Sequence, residues 1–255
     1  MIDYGHDFYE DRHKNTFYSA KIILSIVAGI LPAIKSAVDV GCGVGTWLSV
    51  LKENNITDIL GIDGSWVEKE LLEIPEYNFM QANLEEAVKV DRRFDLAISL
   101  EAAEHLHPGS AVKFVASLVG LSDFVLFSAA IPFQHGRHHI NEQWPDYWAG
   151  LFEEHNYAVV DCIRKEIWND KNIQIWYRQN ILIFVKRERM KDLKNTTDTQ
   201  GQYSALSIVH PDSYLRLVRQ MNSPRGSWRL FRKSLRKGIK RKIKKVFNKA
   251  LRKTA

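Results

Sequence analysis

Only two cysteines, Cys42 and Cys162, occur among the 255 residues. They cannot build a disulfide framework, and no Cys-x-x-Cys or Cys/His zinc spacing is present. A reducing compartment is the expectation. The opening stretch MIDYGHDFYEDRHKN is polar and charged, so it is not expected to act as a secretory signal. No apolar run is long enough to span a membrane. The best, IILSIVAGILPAI at 22–34, is short and carries Pro32, so it reads as a buried helix. These absences predict a cytoplasmic protein. One region lacks acids altogether: residues 225–255 hold fourteen Lys and Arg and no Asp or Glu. Taking those fourteen from the total of 36 leaves 22 bases against 30 acids, about −8, before residue 225. The net charge of +6 hides an acidic body with a basic tail.

The apolar content of 45%, with 11% aromatics, is enough for a real core. The length suits one α/β domain with an appendage. Residues 6–31 read as a helix, with Ile22, Ile23, Ile26, Val27 and Ile30 at helical spacing. Strands are predicted at 36–42, 58–64, 77–84, 94–100, 123–131, 157–164 and 179–187. Helices are predicted at 45–55, 65–73 (capped by Ser65 and stopped near Pro75), 110–120 and 144–156. Apolar strands alternating with helices imply a parallel sheet covered on both faces. The last two strands are separated by few residues, so one of them should run antiparallel. The polar stretch 190–204 reads as a linker.

The loop VDVGCGVGTW (38–47) asks for a nucleotide. Glycines at a strand-to-helix turn let backbone N–H groups and a helix N-terminus approach a ligand. Asp63, ending the second strand, suits a ribose diol. A dinucleotide fingerprint needs Gly-x-Gly-x-x-Gly. Here Gly41, Gly43 and Gly45 make Gly-x-Gly-x-Gly, preceded by Asp39. An NAD enzyme is therefore an outsider.

Five segments in order, VDVGCGVGTW, GIDGSW, MQANL, FDLAISLEAAEHL and HHINEQWPDYWAGLFEEHNY, resemble the class I S-adenosylmethionine-dependent methyltransferases over roughly 35–187. The resemblance implies a Rossmann-like seven-stranded α/β sheet whose seventh strand is antiparallel, with S-adenosyl-L-methionine as cofactor. Carried over by position, Asp39, Gly41, Cys42, Gly43, Gly45, Thr46 and Trp47 would form the loop on the methionine side. Asp63 would hold the ribose, with Gly64 and Ser65 beside the adenine. Asn83 and Leu84 would meet the adenine edge, although the family usually has Asp where Asn83 stands. Leu100 and Glu101 would border the sulfonium. The implied domains are an N-terminal helical lid (1–35), a cofactor-binding domain (36–187), a linker with a short helix (188–224) and a basic amphipathic tail (225–255).

The place of the tetrad typical of base amino-methyltransferases is taken by SLEA, which lowers the expectation of a nucleic-acid base as acceptor. The segment IPFQHGRHHINEQWPDYW (131–148) leaves the fifth strand and should cover the mouth of the pocket. Its Gln134, His135, Arg137, His138, Asn141, Glu142, Trp144 and Tyr147 are candidate acceptor-binding groups, with Gln143 and Trp148 beside them. Polar groups interleaved with aromatics suit a sugar. His139 is the first candidate general base, His105 the second, and Glu104 stands beside it. The spacing His-x-x-His-His is not by itself a metal motif, so no metal is expected. With the segment 163–185, this region looks like bacterial methyltransferases found with polysaccharide-assembly genes. A saccharide hydroxyl or another small-molecule group is the expected acceptor. An RNA methyltransferase and a non-catalytic cofactor-fold protein are the alternatives.

The N-terminal helix, with Tyr4, Phe8, Tyr9, Arg12 and Tyr18, is expected to fold over the cofactor. In the tail, Trp228, Phe231, Leu235, Ile239, Ile243, Val246 and Phe247 recur mostly at steps of three or four among Lys and Arg. Such a helix fits an anionic membrane surface, RNA phosphates or a protein partner. Peripheral attachment to the inner face of a membrane follows from the first of these.

Overall fold

The structure, a computed structural model, describes residues 6–195 and 205–224 and scattered positions from 226 to 235, with side chains from Thr16 onward. Expectations for Tyr4, Phe8, Tyr9 and Arg12, for 196–204 and for most of the tail lie outside the described residues.

Seven strands pair into one sheet: β1 Ser36–Val40, β2 Asp58–Asp63, β3 Phe79–Gln81, β4 Leu96–Leu100, β5 Phe124–Ser128, β6 Tyr157–Val160 and β7 Leu182–Lys186. Their order is β3-β2-β1-β4-β5-β7-β6. The first five pair in parallel, and β7 runs antiparallel to both β5 and β6. The antiparallel strand was foreseen for an incomplete reason. The link from β6 to β7 is longer than expected and holds two short helices, α5 Ile163–Ile167 and α6 Ile175–Asn180 (the full helix set being numbered α1 to α7 in chain order).

The other helices of this unit are α1 His6–Ile30, α2 Thr46–Glu53, α3 Ala111–Leu121 and α4 Pro145–Glu153. Alternate side chains of each strand face opposite layers. Leu126 and Ile183 join Leu24, Val27, Leu48 and Tyr177 in one buried cluster. Phe127 and Phe184 join Phe114, Leu118, Trp148 and Phe152 in the other. The Phe152 and Phe184 rings stack at 3.9 Å between centroids.

A helix was expected at 65–73. Instead the chain makes turns and a single 3₁₀ turn at Lys69–Leu71. Glu73 N donates to Val44 O at 2.8 Å, and Ile74 packs on Gly45. Fastening this segment to the glycine loop takes it out of helical geometry, and so short a helix has little intrinsic stability to resist. Arg187–Asp192 forms a 3₁₀ turn where linker was expected.

Residues 205–210 are held against α6 by Arg164, which is 1% exposed. Its guanidinium pairs with Asp161 and donates to Leu206 O at 2.8 Å and Gln179 O at 3.1 Å. From Pro211 the chain forms a second unit. Its described residues include α7 Pro211–Asn222, none of which is buried. No helix among the described residues is long and apolar enough to cross a membrane.

Candidate active site

The order of strands reverses between β1 and β4, where a doubly wound sheet opens a crevice at its C-terminal edge. A cleft of about 380 Å³ lies there. Gly41, Cys42 and Gly43 line it after β1, Thr46 and Trp47 from α2, Asp63 at the end of β2, Asn83 and Leu84 after β3, and Leu100 and Glu101 at the end of β4. Ten expected cofactor residues thus share one cavity. Asp39, Gly45 and Gly64 are buried beside it without lining it, and Ser65 is exposed.

The loop has this shape because glycine permits it. Gly41, Gly43 and Gly45 have φ of 88°, 54° and 87°, a region L side chains rarely occupy. A Cβ on Gly41 would lie 2.4 Å from Ala102 Cβ. Asp63 fixes the turn: Gly43 N and Gly64 N each donate to its carboxylate at 2.6 Å. Burial, reinforced by Asp63, pushes the Asp39 carboxyl well above its usual range. Burial also raises the Cys42 thiol, with Asp63 and Asp39 adding to it. Cys42 is therefore a packed thiol and not a thiolate nucleophile at neutral pH.

Glu101 has φ of 54°, an uncommon conformation for a side chain of its type. The surroundings hold it there. Its backbone N–H donates to Ser128 O at 2.9 Å. Gln134 Nε2 and Asn180 Nδ2 donate to its carboxylate at 2.9 and 3.2 Å. Burial nonetheless raises its pKa.

Beyond Glu101 the chain makes a 3₁₀ turn at Ala103–His105. Glu104 is 0% exposed, whereas His105 lines the cleft. His139 does not line the cleft. Its Nδ1 sits 3.1 Å from Glu142 Oε1, its Nε2 lies 3.9 Å from Glu104 Oε1, and its ring meets that of His105 edge-on at 4.9 Å. The three candidate catalytic residues are thus neighbours, and His105 is the one that reaches the cavity.

The 131–148 segment divides by role. His138 lines the cleft. Gln134 is taken up by Glu101 and Asn180. Glu142 accepts Phe133 N and His135 N at 2.9 and 2.8 Å, and Asn141 is buried. His135, Arg137, Trp144 and Tyr147 are exposed outside the cavity lining. Trp148 is core, packed on Phe127, and offers no face to a ligand.

Sequence reasoning missed Thr16, Trp66, Glu85 and Tyr177 in the lining. Of the expected lid helix, the described part packs on the sheet, and Thr16 touches the cleft. Tyr18 is 41% exposed. Tyr177 meets Trp47 edge-on at 5.2 Å. Asn180 and Gln179 were also missed. The signal was present: a polar Arg178-Gln179-Asn180 run before an apolar strand must find buried partners.

A family model described as a methyltransferase domain matches residues 12–161. Fold and cleft define a Rossmann-like methyltransferase. The chain belongs to the class I S-adenosylmethionine-dependent methyltransferase family, whose cofactor is S-adenosylmethionine. Among solved structures, DesVI of Streptomyces venezuelae matches with a TM-score of 0.53 at 14% identity, over 72% of this chain and 99% of that one. Magnesium protoporphyrin IX methyltransferase (ChlM) of Synechocystis PCC 6803, solved with bound SAM, matches with a TM-score of 0.50 at 18% identity, over 72% and 86%. At such identities the likeness is one of fold. No curated protein matches by sequence.

Proposed function

We propose that the cleft holds S-adenosylmethionine and that the enzyme methylates a hydroxyl of a small-molecule acceptor of the saccharide class. The observation that carries this is the convergence of the glycine loop, Asp63, Glu101 and His105 on one cavity of about 380 Å³, a size suited to a small ligand. The residues fit the cofactor. A Cβ on Gly43 would meet nothing within 4 Å, so this bare backbone leaves room for a ligand at the loop. Asp63 offers carboxylate oxygens for the ribose hydroxyls, and Asn83 and Leu84 an edge for the adenine.

When bound, the cofactor supplies an electrophilic methyl group on a sulfonium. The protein's part is alignment, exclusion of water and removal of the acceptor's proton. Trp47, Leu100 and Tyr177 wall the cavity with apolar surface. Proton removal belongs to the Glu104–His105–His139 group, reached from the cavity through His105. The tail, with its fourteen bases, suits an anionic membrane carrying a lipid-linked glycan. The same bases favour RNA as the second reading, with affinity that falls steeply with salt.

The test is calorimetry of S-adenosylmethionine binding, followed by labelled-methyl transfer to a panel of sugar nucleotides and lipid-linked glycans. Asp63→Ala should weaken cofactor binding by about tenfold or more, equivalent to about 1.4 kcal/mol. An unchanged dissociation constant refutes the ribose assignment, and an inert panel refutes the saccharide.

A further inference from the structure

We infer that Glu104, His105 and His139 form a binding site for one divalent transition-metal ion in the wall of the cleft. One ligand atom from each lies within 4.8 Å of the others. An ion bound at about 2.1 Å to each needs ligand atoms roughly 3–3.4 Å apart. The difference is less than 2 Å, a shift within the reach of side-chain rotation.

The surroundings hold the backbone that carries these side chains. Ile140 N and Asn141 N donate to Glu104 O at 2.9 and 3.0 Å, tying the His139 loop to the turn after β4. The loop holds its shape through left-handed residues Phe133, His135 and His138, at φ of 71°, 56° and 61°. Gly136 lies under the imidazole, and a Cβ there would sit 1.9 Å from His139 Nε2. Glu142 takes the other ring nitrogen, Nδ1, at 3.1 Å. It is itself held by two backbone N–H groups. A carboxylate behind a histidine, turning the far nitrogen to a common point, is the outer arrangement that orients metal-binding histidines.

Two imidazoles and one carboxylate suit manganese, iron, cobalt or zinc better than calcium or magnesium. Three protein ligands leave positions open, and His105 turns the group toward the cavity. The ion site stands on this geometry alone, whereas its use in catalysis rests on the function proposed above. The group would then remove the acceptor's proton through the ion: a hydroxyl on the ion would be acidified and release its proton to solvent, the histidines serving as ligands. The hydroxyl's oxygen lone pair then forms the bond to the methyl carbon, as the carbon–sulfur pair stays on sulfur.

The experiment is calorimetric titration of MnCl2 and ZnCl2 into chelator-treated full-length protein, with metal analysis of the protein as purified. One ion per chain should bind at about 1 μM or tighter. His105→Ala should abolish binding, and Glu142→Gln, which holds His139 from behind, should weaken it by about tenfold. His155→Ala, which follows α4 and does not line the cleft, should leave it unchanged. The melting temperature of each variant separates lost ligation from lost folding. The inference is overturned if wild-type protein that binds S-adenosylmethionine takes up no ion. It is equally overturned if a folded His105→Ala binds the ion as tightly, or if His155→Ala loses it. Ion uptake without cofactor binding would instead refute the proposed function and leave the ion site standing.

Discussion

Gly41 and Gly43 lie two residues apart in one loop, yet alanine should have different effects at the two positions. At either one an L side chain enters the left-handed region, at roughly 1–2 kcal/mol. At Gly43 that is the whole folding cost, because a new Cβ meets nothing within 4 Å. At Gly41 the new Cβ falls 2.4 Å from Ala102 Cβ. That neighbour is itself a Cβ with no torsion to swing it aside, so backbone must move, adding about 1–3 kcal/mol of overpacking. Gly41→Ala should therefore cost roughly 2–5 kcal/mol. For a unit of this size each kcal/mol lowers the melting temperature by about 2–4 °C. Gly41→Ala should melt on the order of 10 °C below wild type, and Gly43→Ala about 2–8 °C below. Ligand binding should show the opposite ranking. The Gly43 methyl enters the space proposed for the cofactor and should weaken S-adenosylmethionine by about tenfold or more. Thermal melts and calorimetry on the two purified variants decide it. A Gly41→Ala protein as stable as Gly43→Ala would refute the steric reasoning.

Tyr157 donates its hydroxyl to Ser122 O at 2.6 Å, and burial pushes its pKa up from 10 to about 12. An acid raised by folding keeps its proton longer in the folded state, so stability should fall as pH rises from about 10 to about 12. Urea melts across that window should show the fall in wild type and its absence in Tyr157→Phe; equal slopes would refute it. Arg164→Met leaves Asp161 and the Leu206 and Gln179 carbonyls without their buried donor, and should cost about 3–5 kcal/mol. Hydrogen exchange should quicken first at 205–210, and unchanged protection there would show that Arg164 does not hold the segment.

The glycine loop could be read from sequence because its signal is local: alternating glycines after a buried strand allow few geometries. Asp63 was legible for the same reason, as the acid ending the next strand. Helices α5 and α6 were not, since elements of five and six residues show too little periodicity to separate from strand. Their loss concealed Tyr177 and Asn180. Glu104 and His139 were each noticed, but 35 positions separate them along the chain. The hydrogen bonds from Ile140 and Asn141 to Glu104 help to bring them side by side. The expected helix at 65–73 failed because the tie between Glu73 and Val44 outweighed local preference.

The order of the sheet also decides how the molecule meets its own kind. Its two margins are β3 and β6, of three and four residues, while β2, the longest at six, is enclosed between neighbours. Open ladder groups invite strands from other molecules to dock, and abbreviated margins offer few of them. A chain whose interior strands are mainly apolar thus withholds its stickiest segments from intermolecular β-pairing.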